Sequence, residues 1–215
     1  LLSGYDGHSN FIDPMCGSGT ILIEATMIAC NIPANINRPE FGFEKWSDYD
    51  EDLYFKIQDV LLKKIVNPQF KIMGFDKAPS AVRKAQDNVK NANLDEFIGI
   101  HHVNFFNSMK EVFGSTTILF NPPYGERLNI DTAEFYKKIG DTLKHGYPDS
   151  KVWFITSDIE ALKYVGLRTS KRIPLKNGDL DCRLVRYDMY AGSRRTKKED
   201  VIQDESQIET QDLDS

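Results

Sequence analysis

The chain has 215 residues and a net charge of -5, with 40% hydrophobic and 27% charged residues. This composition is typical of one soluble globular domain with a full hydrophobic core. The apolar runs are far shorter than a membrane span, and no signal-peptide pattern opens the chain. Cys16, Cys30 and Cys182 are widely spaced and form no CxxC pair, which disfavours a disulfide framework or a zinc site and favours a reducing, cytoplasmic setting.

The two ends of the chain differ from its body. Leu1-Leu2-Ser3-Gly4 is typical of the last turn of a helix, and because no methionine precedes it we expect a piece of a longer protein. Residues 199–215 contain seven acidic and no basic residues, so the rest is near neutral and its charge neither favours nor excludes a nucleic-acid partner. We predict one domain over residues 1–192 and an acidic, disordered tail over residues 193–215.

The first predicted unit is a strand ending at Phe11-Ile12, a loop with the sequence DPMCGSGT, and a helix over residues 21–30. Gly17 and Gly19 would let the backbone approach a ligand closely, and the helix start presents free N–H groups. A structural turn explains two such glycines equally well. The loop has neither the third glycine of GxGxxG nor the Gly-Lys-Ser/Thr of a P-loop, so a bound triphosphate is not expected.

Residues 32–68 are predicted to be an insertion. It contains the aromatic, turn-like sequence FGFEKW at residues 41–46, and residues 48–66 carry apolar side chains at helical spacing. We favour packing in the core or in a lid as the role of these aromatic residues.

The second predicted strand covers residues 71–76 and ends on Asp76, followed by a helix over residues 79–93. An acid at this point is where nucleotide-binding α/β folds hold a ribose by its two hydroxyl groups. Taken alone, Asp76 is better explained as a helix cap or a surface acid. The gap from the glycine loop is longer than the roughly 20 residues of a dinucleotide fold, which disfavours a nicotinamide cofactor.

A third strand over residues 97–103 leads to Asn104, and a fourth ends at Asn121-Pro122-Pro123-Tyr124. Neither proline can donate to a sheet ladder, so the strand stops abruptly and Asn121 lies at its carboxyl end. In open α/β sheets this edge is where ligands bind. A side-chain amide, a rigid carbonyl group and an aromatic ring at one point suit a flat molecule that carries an amino group.

The remaining elements complete an α/β pattern. We predict a helix over residues 132–143, a strand over 151–156, a short helix over 159–165, and two strands over 168–176 and 180–190. Asn177-Gly178 between the last two is a strong signal for a tight hairpin. Alternating strands and helices that end in such a hairpin predict a mostly parallel sheet with one reversed strand near its edge.

The glycine loop, Asp76 and NPPY occur in an order that resembles the class I S-adenosylmethionine-dependent methyltransferases. The sequence most resembles the THUMP-containing RNA methyltransferases, especially the bacterial 23S rRNA guanine-N2 enzymes, whose relatives are often labelled N6-adenine DNA methylases. The resemblance covers residues 1–190. The segments that carry it are FIDPMCGSGTILIEA, FEKW, GFDKAPSAVRKAQDN, NPPYGERL and LKNGDLDCRLVRYDMY.

The resemblance implies a Rossmann-like α/β fold with a mostly parallel seven-stranded sheet and one antiparallel strand. It implies S-adenosylmethionine as the cofactor and no metal. Asp76 would hold the ribose, Lys77 would lie beside the adenine, and Asn104 stands where many relatives have an aspartate that accepts from the adenine amino group. The loop residues around the methionine and ribose would be Asp13, Pro14, Cys16, Gly17, Ser18, Gly19 and Thr20. Those that hold the target base would be Asn121, Pro122, Pro123 and Tyr124, with Asn121 also next to the cofactor.

The implied function is methyl transfer to the exocyclic amine of a nucleobase, most specifically guanine N2 in 23S rRNA, by a cytoplasmic enzyme with an RNA partner. An N-terminal RNA-binding part is expected to precede the chain in the whole protein. Three alternatives stay open: the same chemistry on DNA adenine or on a protein glutamine amide, a non-catalytic RNA-binding module of the same fold, and, more distantly, a nicotinamide dehydrogenase. The sequence does not predict the oligomeric state.

Overall fold

The computed structural model describes residues 1–36, 38–123 and 131–190. Seven strands and four α-helices lie in these ranges. The strands are β1 Asn10–Asp13, β2 Ile72–Asp76, β3 Ile98–His102, β4 Thr116–Phe120, β5 Ser150–Thr156, β6 Lys171–Asn177 and β7 Leu180–Met189. The helices are α1 Thr20–Ala29, α2 Glu51–Leu62, α3 Pro79–Asn91 and α4 Thr132–Gly146, and short 3-10 helices cover Gly42–Lys45, Phe105–Asn107 and Ile159–Val165.

The strands form one sheet in the order β3-β2-β1-β4-β5-β7-β6. β1 to β5 pair in parallel, and β7 is antiparallel to both of its neighbours. The hairpin between β6 and β7 pairs Asn177 with Leu180, and Gly178 between them has a φ of 61°. The sequence-based prediction of a mostly parallel seven-stranded sheet with one reversed strand next to its edge is confirmed.

Apolar layers cover both faces of the sheet, because the central strands are nearly continuous hydrophobic runs. On one face, α4 and the 3-10 helix Ile159–Val165 pack over β4 and β5 with buried side chains such as Phe120 and Ile139. On the other, α1 and α3 cover β1 to β3 through Leu22 and Ala85. Pro79 opens α3, where a missing N–H costs no intrahelical hydrogen bond.

The short helix predicted over residues 159–165 is present as the 3-10 helix Ile159–Val165, which ends at Gly166 in the left-handed region. Of the two roles expected for the aromatic residues of the insertion, packing in the core is wrong and packing in a lid stays a prediction. Phe41, Phe43, Tyr49 and Tyr54 pack against one another, and α2 contains no buried residue. Among the described residues no helix is both long and apolar enough to cross a membrane. The predicted tail lies outside the described residues.

Gly140 provides a test of how closely α4 packs against the 3-10 helix beside it. A Cβ at residue 140 would overlap the Val165 carbonyl oxygen, and Val165 is itself buried. Gly140→Ala is therefore expected to lower the free energy of unfolding by about 1–3 kcal/mol, measured by urea denaturation. Gly42→Ala is the control, because its Cβ would meet nothing within 4 Å. A Gly140→Ala protein as stable as the parent would contradict the close packing.

Candidate active site

A cavity of about 300 Å³ opens at the carboxyl ends of the parallel strands. It lies where the strand order changes direction between β1 and β4, which is the usual ligand position in open α/β sheets, and its volume is within the range of small-molecule sites. Three groups of predicted site residues meet there: the glycine loop, the end of β2 and the end of β4. The lining residues are Pro14, Met15, Gly17, Asp76, Lys77, Asn104, Phe105, Phe106, Asn121, Pro122, Pro123 and Phe135.

The glycine loop between β1 and α1 is fixed by backbone hydrogen bonds. Cys16 N donates to Phe75 O at 2.8 Å, and Gly19 N donates to Cys16 O at 2.8 Å. Gly17 and Gly19 have φ values of 54° and 81°, in the left-handed region that side chains with a Cβ rarely adopt. These constraints explain two glycines at this spacing.

Only part of the predicted loop set reaches the cavity. Pro14 and Gly17 line it, whereas the other predicted loop residues are not among the lining residues. The side-chain amide of Asn88 on α3 donates to Ser18 O at 2.8 Å, and a Cβ on Gly19 would lie 3.3 Å from Ala85 Cβ. The predicted loop residues outside the lining are Asp13, Cys16, Ser18, Gly19 and Thr20, whose roles toward a cofactor stay predictions.

Asp76 connects the loop to the neighbouring strand. Its Oδ2 accepts a hydrogen bond from Gly17 N at 3.0 Å, and its Oδ1 accepts one from Ala78 N at 2.9 Å. A carboxylate offers about four acceptor positions, so Asp76 keeps acceptor capacity for hydroxyl groups of a ligand in the cavity. Lys77, the next residue, is exposed, and its carbonyl group lies 3.0 Å from His102 Nε2.

Asn104 caps the amino-terminal end of the 3-10 helix Phe105–Asn107. Its Oδ1 accepts from Phe106 N at 3.1 Å, which fixes the direction of the amide because only the oxygen can accept. Phe105 is buried in the core, and Phe106 lies edge-on to Phe135 with ring centroids 5.6 Å apart. The cavity therefore has one aromatic wall and one polar wall.

The end of β4 supplies the third side of the cavity. Asn121 is exposed, Pro122 is buried and Pro123 is partly buried. All three line the cavity, as the predicted strand end requires. Tyr124, the fourth residue of the predicted group, lies outside the described residues.

Met15, Phe105, Phe106 and Phe135 line the cavity but are absent from the sequence-based set. The first three lie within two residues of predicted residues in the sequence, and this proximity was a usable signal. Phe135 lies on the buried face of α4, but helical spacing alone does not show that this face ends at a cavity.

Asp13 is an acid near the site whose pKa is strongly shifted. It is 1% exposed, and its Oδ1 accepts from Met15 N at 3.1 Å. Burial raises the pKa of Asp13 to about 8; the Met15 hydrogen bond opposes this rise and the charge of Asp76 adds to it. Burial likewise raises the pKa of the Cys16 thiol to about 12, so this thiol is protonated at neutral pH and is not a nucleophile.

Residues 1–186 match the family of RMKL-like methyltransferase domains. The chain belongs to this family. The ribosomal RNA large subunit methyltransferase K/L of Colwellia psychrerythraea is 37% identical over 193 residues, which are 86% of this chain and 27% of that protein. This chain thus spans about a quarter of the length of that RMKL-like relative.

Two solved structures of similar proteins extend this result. SMU.472, crystallised with SAH and provisionally assigned as a methyltransferase, has 29% identity and a TM-score of 0.81, covering 90% of this chain and 51% of its own. A predicted N6-adenine-specific DNA methylase from Listeria monocytogenes has 27% identity and a TM-score of 0.75, covering 88% of this chain and 49% of its own. The predicted Rossmann-like methyltransferase fold is confirmed. The family match is to the catalytic domain, and a THUMP domain stays a prediction.

The pKa of Asp13 has a testable consequence for stability. Between about pH 4 and pH 8 the folded state keeps a proton on Asp13 that the unfolded state releases, so stability falls as pH rises through this window, by up to about 1.4 kcal/mol per pH unit. Asp13→Asn keeps an oxygen for Met15 N but carries no charge. We expect urea denaturation to show that the variant gains stability relative to the parent from pH 5 to pH 8. A constant difference across this range would contradict the raised pKa.

Proposed function

We propose that this chain transfers a methyl group from S-adenosylmethionine to the exocyclic amine of a nucleobase. One observation carries the proposal: Asn121-Pro122-Pro123 at the end of β4 shares a single cavity with Gly17 and Asp76. A site that binds a methyl donor thus adjoins groups that suit an amine acceptor. Membership of a methyltransferase domain family supports the same reaction class.

The lining residues fit the proposed cofactor. The Asp76 carboxylate has spare acceptor positions for the two ribose hydroxyl groups, and the cavity wall at Phe106 gives a flat apolar surface for adenine beside the polar Asn104. Gly17 leaves the backbone open where the methionine part would pass, since no side chain stands there. The binding of SAH by SMU.472 supports this choice. The cofactor supplies an electrophilic methyl group on a sulfonium.

The role of Asn121 follows from the chemistry of aromatic amines. An exocyclic amine on guanine or adenine is a poor nucleophile because its lone pair is conjugated with the ring. Hydrogen bonds from this amine to Asn121 Oδ1 and to the Pro122 carbonyl oxygen would favour a tetrahedral nitrogen, whose lone pair is available to attack. Since the cofactor is already reactive, alignment of the amine supplies much of the rate increase. We assign Tyr124 to stacking on the base, which is worth about 1–3 kcal/mol per base.

The substrate that we propose is guanine N2 in 23S rRNA. The K/L relatives are named as ribosomal RNA methyltransferases, and the one from Colwellia is 37% identical to this chain. A second candidate is DNA adenine N6, favoured by the name of the Listeria structure at 27% identity. Both are planar amines that would have to leave a base stack to reach the cavity, so the Asn121 site alone does not separate them.

Isotope transfer separates these two substrates. The full-length protein, with the N-terminal RNA-binding part that we expect to precede this chain, is incubated with S-adenosylmethionine carrying a labelled methyl group and with either unmodified DNA or ribosomal RNA from a strain lacking the gene. We expect label in 23S rRNA, and nucleoside mass spectrometry should place it on guanine N2. Label only in DNA adenine would refute the rRNA assignment. Absence of S-adenosylmethionine binding in calorimetry would refute methyl transfer altogether and revive the non-catalytic RNA-binding module.

Two substitutions separate cofactor binding from transfer. Asn121→Ala should lower the transfer rate at least about 100-fold, because the amine loses its alignment, while the calorimetric Kd for S-adenosylmethionine stays within about threefold. Asp76→Ala should raise that Kd at least about tenfold, because charged hydrogen bonds of about 1.5–3 kcal/mol are lost.

The matched controls are Asn91→Ala and Asp87→Ala, both on the exposed side of α3. Neither should change transfer or cofactor affinity. Normal turnover by Asn121→Ala, or an unchanged Kd for Asp76→Ala, would refute the role given to that residue.

A further inference from the structure

The insertion between α1 and β2 exposes an unusually apolar helix. Leu53, Phe55, Ile57 and Val60 of α2 are between 50% and 54% exposed, and no residue of the helix is buried. Tyr54 and Leu61 on its inner side line a small cavity together with Phe43, and the rings of Tyr54 and Phe43 lie 5.7 Å apart. No other helix or strand among the described residues packs extensively against α2. Exposed apolar surface of this kind marks interaction sites.

The exposed apolar residues fall on two flanks of α2. On the first, Leu53, Ile57 and Val60 follow one another at spacings of four and three, which is the spacing of a coiled-coil seam, and Lys64 lies in the turn after the helix. On the second flank Asp59 stands between Phe55 and Leu62 at the same spacing, and its carboxylate would be buried by a partner. The first flank is therefore the better contact surface.

Charge is segregated along this helix. Asp48, Asp50, Glu51 and Asp52 lie at its amino-terminal end, and Asp50 caps the helix by accepting from Leu53 N at 2.9 Å. Lys63 and Lys64 follow its carboxyl-terminal end; Lys63 forms an ion pair with Asp59 at 2.5 Å, so Lys64 is the base that we assign to a partner. A partner that complements α2 must therefore offer bases opposite the acids, acids opposite the bases, and an apolar centre. An antiparallel copy of α2 meets all three requirements.

We propose that α2 is a homodimerisation element whose first flank packs antiparallel against the same flank of a second copy. A two-fold axis passes between Ile57 and Val60, so each Ile57 contacts the partner's Val60. The aliphatic stem of each Lys64 covers the partner's Leu53, and its ammonium group reaches the carboxylate of the partner's Asp50. Such a two-fold interface uses the same surface on both copies, so it closes at two subunits.

The association is expected to be weak. A helix of 12 residues is about 18 Å long, and it presents less than the roughly 800 Å² per partner of a standard interface. Dimerisation should therefore depend on protein concentration, and it should weaken at high salt because the end contacts are ionic.

Sedimentation equilibrium of the 215-residue chain, from about 1 µM to about 1 mM, tests the proposal. We expect a monomer–dimer equilibrium for the parent and at least tenfold weaker association for Val60→Asp. The control is Phe55→Asp on the second flank, which introduces the same charge at a similarly exposed position (54% against 51%) and should leave the dimer intact. Circular dichroism and S-adenosylmethionine binding of both variants verify that the fold and the cavity are unchanged.

A second pair of variants tests the ionic ends. Lys64→Glu places like charges opposite each other and should weaken association at low salt, whereas Lys56→Glu, the same change on the charged side of α2, should not. A parent chain that stays monomeric throughout would overturn the proposal and assign the apolar surface to a different partner. Equal weakening by Val60→Asp and Phe55→Asp would also overturn it, because the contact would not be the proposed flank.

Discussion

The hydrogen bond from Gly17 N to Asp76 Oδ2, at 3.0 Å, joins the ends of two neighbouring strands across the mouth of the cavity. The glycine loop has no side chain at residue 17 to anchor it. Its path therefore depends on the hydrogen-bond acceptors that its backbone N–H groups contact. Asp76 provides that acceptor while its other oxygen caps the turn into α3 at Ala78. One carboxylate thus connects the glycine loop after β1, the end of β2 and the first turn of α3 at the edge of the cavity.

The same arrangement explains the environment of Asp13. Two acids one strand apart would repel each other if both were ionised in a closed site. Burial favours the protonated form of Asp13, whereas Asp76 is partly exposed and accepts two backbone hydrogen bonds. The buried acid supports the loop, and the exposed one faces the cavity. This division of roles follows from burial and hydrogen bonding, since the two residues are chemically alike.

Much of the site could be predicted from the sequence because parallel strands place their carboxyl ends at one edge. Gly17, Asp76 and Asn121 each follow an apolar run, so their convergence follows from topology. The contribution of Phe135 could not be predicted, because periodicity places a residue on a face but does not say what that face meets. The exposure of α2 has the same origin: apolar spacing predicted the helix and suggested packing in a core that the insertion does not reach. The close approach of the 3-10 helix Ile159–Val165 to α4 at Gly140 is a tertiary contact that the spacing of apolar residues does not predict.

The chain has two tryptophans, and they lie in contrasting surroundings. Trp153 on β5 is 1% exposed, with the guanidinium carbon of Arg186 5.8 Å from its ring centroid, whereas Trp46 in the insertion is 67% exposed. Their fluorescence is therefore separable without any engineered label: a soluble quencher reaches Trp46, and only loss of the central sheet uncovers Trp153. Tryptophan fluorescence can therefore report on the insertion and on the central sheet separately in one sample.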